Sequence, residues 1–342
     1  MSLTTSLLEP PCPKTKSSII DAFWKPSSIP GPLVNPNISD VYWKFYHKEC
    51  ERALHDGGRH VLARTHQDLV DIATLIHEQQ SREHIRQKLR QKLTRTHDNE
   101  DELVNRAIDL TATLLLMVDC TNVEYGFSGN QQLEWKTDSL TQCLETYFGT
   151  KPELGHEGVK LPRIFNVGNL DRIAGIEIVP TANLLDHLRL VDDDTQLYVF
   201  HHAAFLKRQA NSALLPTGLV EETQRTLALL FPQSDPMVRK WHRQLSAESC
   251  VDDQLMFCGH LKTDDRQIEK FVFWHDRLVV LKQVFDEATP RNLSQWWYDR
   301  RNGVQWYTFW VAIVVLTLTL LFGFIQSVEG ALQVYASFKG DK

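Results

Sequence analysis

WYTFWVAIVVLTLTLLFGFI, residues Trp306 to Ile325, is twenty residues long, apolar or weakly polar throughout, and free of charge. The uncharged window around it runs from Asn302 to Val328. At about 1.5 Å of rise per residue, twenty helical residues cover the roughly 30 Å hydrocarbon core of a bilayer. A helix on the surface of a soluble domain needs one apolar stripe, whereas here every face is apolar. The stretch predicts one C-terminal transmembrane helix, over residues 304–326. The competing expectation is a helix buried on all sides in a large soluble core.

Working outward, Trp296, Trp297, Tyr298, Arg300 and Arg301 precede the span, and Trp306, Tyr307 and Trp310 open it. Tryptophan and tyrosine favour the headgroup level because one end is apolar and the other bonds to water. These eight residues form the expected membrane anchor. Gly323, Ser327 and Ala331 recur at spacing four, a small-residue ridge on which two helices could associate. Seventeen residues follow Ile325, the layout of a tail-anchored protein with a short tail over 327–342. Arg291, Arg300 and Arg301 outnumber Lys339 and Lys342, which favours a cytosolic N-terminal side. The sequons at Asn37 and Asn292 point the other way if glycosylated, which requires a lumenal domain.

The remainder of the 342 residues has an ordinary globular balance, 42 % hydrophobic and 23 % charged overall. A net charge of −6 argues against nucleic acid as a partner and leaves the lipid bilayer, a protein or a second copy of the chain. Six irregularly spaced cysteines do not read as a disulfide framework. The N-terminus lacks the basic and apolar regions of a secretory signal.

Residues 1–40, rich in Pro, Ser and Asn, read as an irregular arm, and 41–160 as a mainly helical region. Within it, Val41 to Cys50 is the first packed element, and a helical pattern runs from His66 to Arg95. The second half of that pattern carries Arg82, Arg86, Lys88, Arg90, Lys92 and Arg95. A basic face can lie on an anionic leaflet or meet a phosphate-bearing partner; the plainer expectation is a solvated face balanced by the acidic residues 98–102. Asn99 and Glu102 suggest a capping box opening a helix to Met117, with Asp109 ruling out a second span. Residues 161–262 read as an α/β region: a strand Ile176 to Val179 ended by Pro180, a helix Leu184 to Leu190, a strand Gln196 to Phe200, then helices Val220 to Leu230 and Met237 to Leu245. Residues 263–303 hold a long stalk-like helix to Ala288, with Phe271, Leu278 and Phe285 at one heptad position, followed by the aromatic and basic residues of the expected interfacial anchor. The fold expected is α+β and helix-rich, with a small α/β layer.

Motifs for catalysis are lacking. Gly126-Phe127-Ser128-Gly129 falls short of a nucleophile elbow, and no Gly-rich phosphate loop or His-Glu-x-x-His occurs. Cys250, Cys258, His260 and His275 match no common zinc spacing, and Asp192 to Asp194 reads as an acidic turn before it reads as a Mg²⁺ site. His201 and His202 could be bases or ligands, and are more simply histidines satisfied at a strand end. No catalytic, cofactor or metal residue is assigned.

The stretches Leu161 to Phe165, Thr181 to Leu188, Phe200 to Leu206 and Leu227 to Pro232, with the run from Trp296 through Gly330 to Tyr335, resemble a family of membrane proteins of filamentous ascomycetes. The resemblance spans about residues 160–338 and implies a fungal source and one C-terminal membrane helix, but no established activity. The plan of an α/β body leading by a helix into the membrane also resembles CorA-type magnesium channels. Those channels end their first span in Gly-Met-Asn and have a second; here Gly323-Phe324-Ile325-Gln326-Ser327 stands instead. Three functions are expected: a single-pass anchored interaction or regulatory domain, a degenerate CorA-like cation-transporter subunit, or an accessory protein of a fungal metabolic pathway using His201, His202 and the Asp192 to Asp194 turn.

Overall fold

The computed structural model describes residues 3–24, 40–93, 98–120, 129–155, 159–210, 212–248, 250–289 and 303–340. The chain divides into two compact units, Met1–Asp171 with Gly175–Asp286, and Arg172–Ala174 with Glu287–Lys342.

The first unit is α+β and helix-rich. Its N-terminal part holds α1 (Pro13–Phe23), α2 (Asp40–Ala53), α3 (His66–His77), α4 (Arg82–Gln91), α5 (Glu100–Leu116) and α6 (Leu140–Phe148). The first helix lies in the stretch expected to be irregular. Pro13 sits in its first turn, where a missing N–H costs nothing, and Thr15, Ile19, Ile20 and Phe23 form a buried stripe. The expected 66–95 helix is two helices, because Gln79 takes a left-handed φ of 56° and Ser81 restarts the chain by accepting from the His84 N–H.

Helix α5 is the centre of this packing. Twelve of its residues are buried, including the run from Ala107 to Leu116. A helix end inside a core leaves carbonyls that need donors. Tyr42 Oη donates to the Leu114 carbonyl at 2.8 Å, and Trp24 Nε1 and Gln209 Nε2 both donate to that of Leu115 at 3.0 Å. At its start, Asn99 makes no side-chain cap, so the expected capping box does not form.

The sheet has three strands, β1 (Glu177–Thr181), β2 (Arg189–Val191) and β3 (Gln196–Phe200), in the order β1-β3-β2. β1 is parallel to β3 and β2 antiparallel. Pro180 lies within β1 opposite Val199 rather than ending it. An edge strand tolerates proline because one side of it needs no donor. The helix expected over Leu184 to Leu190 is only a 3-10 turn, Leu184–Asp186; Leu188 then reverses at φ 60° and β2 begins.

α7 (Ala203–Arg208), α8 (Leu219–Leu230) and α9 (Pro236–Glu248) follow. The helix expected from Thr263 starts at His275, as α10 (His275–Glu287), after two 3-10 turns. The buried carboxylate of Glu222 accepts from the Val272 and Trp274 N–H groups at 2.8 Å each, holding the entry segment out of the helix. Leu278, Leu281 and Phe285 of α10 are buried, so this helix packs on the body of the unit.

The long element of the second unit is α11 (Gly303–Gly340), which continues well beyond the expected limit at 326.

Candidate functional site

Two places can carry function: the surface of α11 and the buried polar groups of the first unit. Along α11, Trp306 to Ser337 is long and apolar enough to cross a membrane, and none of its apolar window is buried. Val314, Val315 and Leu316 occupy three successive positions and are 55 %, 56 % and 59 % exposed. Successive helical positions point 100° apart, so apolar surface lies bare all round the helix. Among the described residues, nothing encloses this window as a soluble core would enclose a buried helix. Each hydroxyl of the Thr308, Thr317, Thr319 and Ser327 side chains donates to the carbonyl four residues earlier, at 2.8–2.9 Å. Such bonding removes the donors that hydrocarbon would leave unsatisfied. Ring contacts gather Trp306, Tyr307 and Trp310 at one end, with Trp306 centroids 5.1 Å from Tyr307 and 6.3 Å from Trp310. Trp296, Trp297, Tyr298, Arg300, Arg301 and both sequon residues, Asn37 and Asn292, lie outside the described residues. Gly323, Ser327 and Ala331 are exposed, and a Cβ added at Gly323 or Gly330 would meet nothing.

Within the first unit, His187 is fully buried and engaged at both ring nitrogens, and nothing in its sequence neighbourhood marks it. Its Nδ1 accepts from the Phe200 N–H at 3.2 Å, so the ring proton sits on Nε2, 2.6 Å from Thr226 Oγ1. Thr226 donates onward to the Thr223 carbonyl, and Trp274 Nε1 donates to Thr223 Oγ1 at 2.9 Å. The pairing of a threonine with a histidine looks like a nucleophile and its base, but the tautomer is wrong. A base must accept the hydroxyl proton, whereas this nitrogen donates. Burial, with the Arg277 guanidinium nearby, depresses the His187 pKa to about 3. Arg277 itself donates to the Leu185 and His187 carbonyls, and the fully buried Asp186 pairs with Arg189 Nε at 2.7 Å. The network is a closed structural clamp.

His201 and His202 are both buried, their ring centroids 4.1 Å apart. Burial lowers the His201 pKa to about 4 and that of His202 well below its ordinary value. His201 Nδ1 has no hydrogen-bond partner, so this ring is not fully satisfied as the sequence suggested. Asp192, Asp193 and Asp194 form the β2–β3 turn with φ values of 55°, 50° and 64°. Among the described residues, no group of three or more His, Cys, Asp or Glu side chains is placed to hold a metal ion. Cys250 accepts from Lys44 at 3.1 Å, the Cys258 thiol is pushed up to about 12 by burial, and His275 bonds to Asp276 at 2.9 Å, so the imagined zinc set serves separate contacts.

Four of the basic residues named on and just after α4 form ion pairs. Arg82 is buried against Asp109 at 2.7 Å, Arg86 and Arg90 pair with Asp101, and Lys92 pairs with Asp71 at 2.7 Å. Asp101 of the 98–102 run takes Arg86 and Arg90, as the balanced-face reading expected, whereas Arg82 is buried rather than solvated and Lys92 pairs outside that run. Arg95 lies outside the described residues.

Comparison with protein-family models, curated proteins and solved structures found no match.

Proposed function

We propose that the chain is a single-pass membrane protein, anchored by α11, whose helix-rich α+β unit acts as an interaction or regulatory domain rather than by turnover. The observation that carries the reading is the full circumference of apolar side chains on α11 combined with internally satisfied hydroxyls. In water such a surface drives association, whereas in lipid it is at equilibrium with its surroundings. Supporting the second half of the reading, burial depresses the pKa of His187 to about 3, that of His201 to about 4 and that of His202 well below its ordinary value, which makes all three weak bases, and His187 is hydrogen-bonded on both ring nitrogens.

The N-terminal unit faces the cytosol in this reading, on the arginine excess ahead of the span. Alkaline carbonate extraction of cell membranes tests the anchor: the chain stays in the pellet, and release into the supernatant overturns the proposal. Protease protection with a tag at each end tests the orientation, because a cytosolic unit is digested in intact vesicles.

A further inference from the structure

A cleft of about 350 Å³ opens in the first unit between the end of α8 and the segment His260 to Arg266. Its polar lining is Arg163, His260, Lys262 and Arg266 with the hydroxyls of Ser234 and Thr263, and no carboxylate lines it. The nearby acids are turned to other work. Asp235 accepts from the Met237 N–H and from Asn166, and Asp265 accepts from the Lys262 N–H and pairs with Lys270.

The backbone fixes the two arginines next to each other. The Leu161 N–H donates to the Arg266 carbonyl at 2.7 Å, the Ile268 N–H donates to that of Val159 at 3.1 Å, and Lys160 and Gln267 form an antiparallel bridge. Arg163 thus sits two residues beyond one backbone bond and Arg266 on the other side of it. Arg266 is half-buried, and its Nε is enclosed and makes no hydrogen bond, so that nitrogen is not engaged by a protein acceptor.

We propose that this cleft binds a phosphate-bearing anion. The guanidinium groups of Arg163 and Arg266 and the Lys262 ammonium neutralise its charge, and the Ser234 and Thr263 hydroxyls donate to its remaining oxygens. Planar guanidinium forks suit a multi-oxygen anion better than a single point acceptor. The volume leaves room beyond the phosphate for an ester substituent, so the ligand is a phosphate monoester, either soluble or the headgroup of a lipid.

The test uses the full chain in uncharged detergent, titrated at constant ionic strength with inorganic phosphate, glycerol 3-phosphate and short-chain phosphatidate. Thermal unfolding and calorimetry report binding, since a ligand selective for the folded state raises the melting temperature. Phosphate or its esters saturate the wild type, and R163Q/K262Q binds at least tenfold more weakly. Both of these side chains are exposed, so the double variant folds, as its ligand-free melting temperature shows. R266Q, which keeps its backbone bond to Leu161, loses binding in the same way. Saturation by glycerol 3-phosphate identifies a soluble ester, and saturation by phosphatidate alone identifies a headgroup. Absence of binding to all three probes, equal affinity in wild type and R163Q/K262Q, or equal competition by acetate overturns the proposal.

Discussion

The interior of the first unit and the surface of α11 solve opposite problems with the same rule. In the first unit, ionised groups drawn into an apolar core are matched with partners, as Arg82 is with Asp109, Asp186 with Arg189 and Glu222 with two backbone N–H groups. Along α11, apolar side chains are turned outward and the few hydroxyls fold back onto their own helix. Both follow from the cost of an unpaired polar group away from water. The difference lies in the solvent each surface is built for, and a substitution of one type should therefore have opposite consequences in the two places.

The sharpest way to break the contrast is to charge the helix. V315R/L318R places two guanidinium groups mid-span, at roughly 3 kcal/mol each on the insertion scale. Carbonate-resistant membrane association falls by more than tenfold, while the melting temperature of the first unit is unchanged. The reverse experiment removes a charge from the core. D109A leaves Arg82 buried and unpaired and lowers the unfolding free energy of the first unit by about 3–5 kcal/mol in urea titration. The joint replacement R82M/D109L restores most of that loss, because an apolar pair needs no partner.

Acid should sharpen the comparison further. His201 has an ordinary pKa near 6.5 when unfolded and about 4 when folded, so below pH 6.5 the unfolded chain binds more protons. Its contribution is complete above pH 6.5 and is lost as pH falls through that window, about 1.4 kcal/mol per unit, or roughly 3 kcal/mol by pH 4. His187, depressed to about 3, adds in the same direction. Urea midpoints measured from pH 7 to pH 4 fall steeply in the wild type and less steeply in H201F. Membrane association of α11, which carries no histidine, does not follow that curve.

The smallest expected effect is at the clamp. T226V removes the acceptor of the His187 Nε2–H while keeping the volume, and destabilises the first unit by about 1–3 kcal/mol. Hydrogen exchange at Phe200, whose N–H is held by the other side of the same ring, quickens with it.

Elements that declare themselves through local pattern were legible in the sequence. The long apolar helix α11 needed only an uninterrupted apolar run, α5 and α8 followed from apolar spacing, and β3 from its alternation. What escaped was decided by contacts distant in sequence. The Leu184 to Leu190 stretch has a helix-like cap at Asn183, yet Asp186 and His187 are recruited by Arg189, Thr226 and Phe200, and the chain turns into β2 instead. The start of α10 was displaced to His275 by a carboxylate fifty residues upstream. α1 was hidden by composition, although Pro13 at its first turn and the Ile19, Ile20 and Phe23 stripe were readable signs. The cleft of Arg163 and Arg266 joins residues a hundred positions apart and left no local signal.

The length of α11 bears on where such a protein can live. From Gly303 to Val328 its helical, uncharged stretch measures about 39 Å, whereas bilayer cores range from roughly 27 Å to 33 Å. The helix can slide or tilt to suit either extreme before Glu329 is drawn below the headgroups. If α11 anchors the chain as proposed, its length accommodates either thickness, so bilayer thickness alone does not select its membrane.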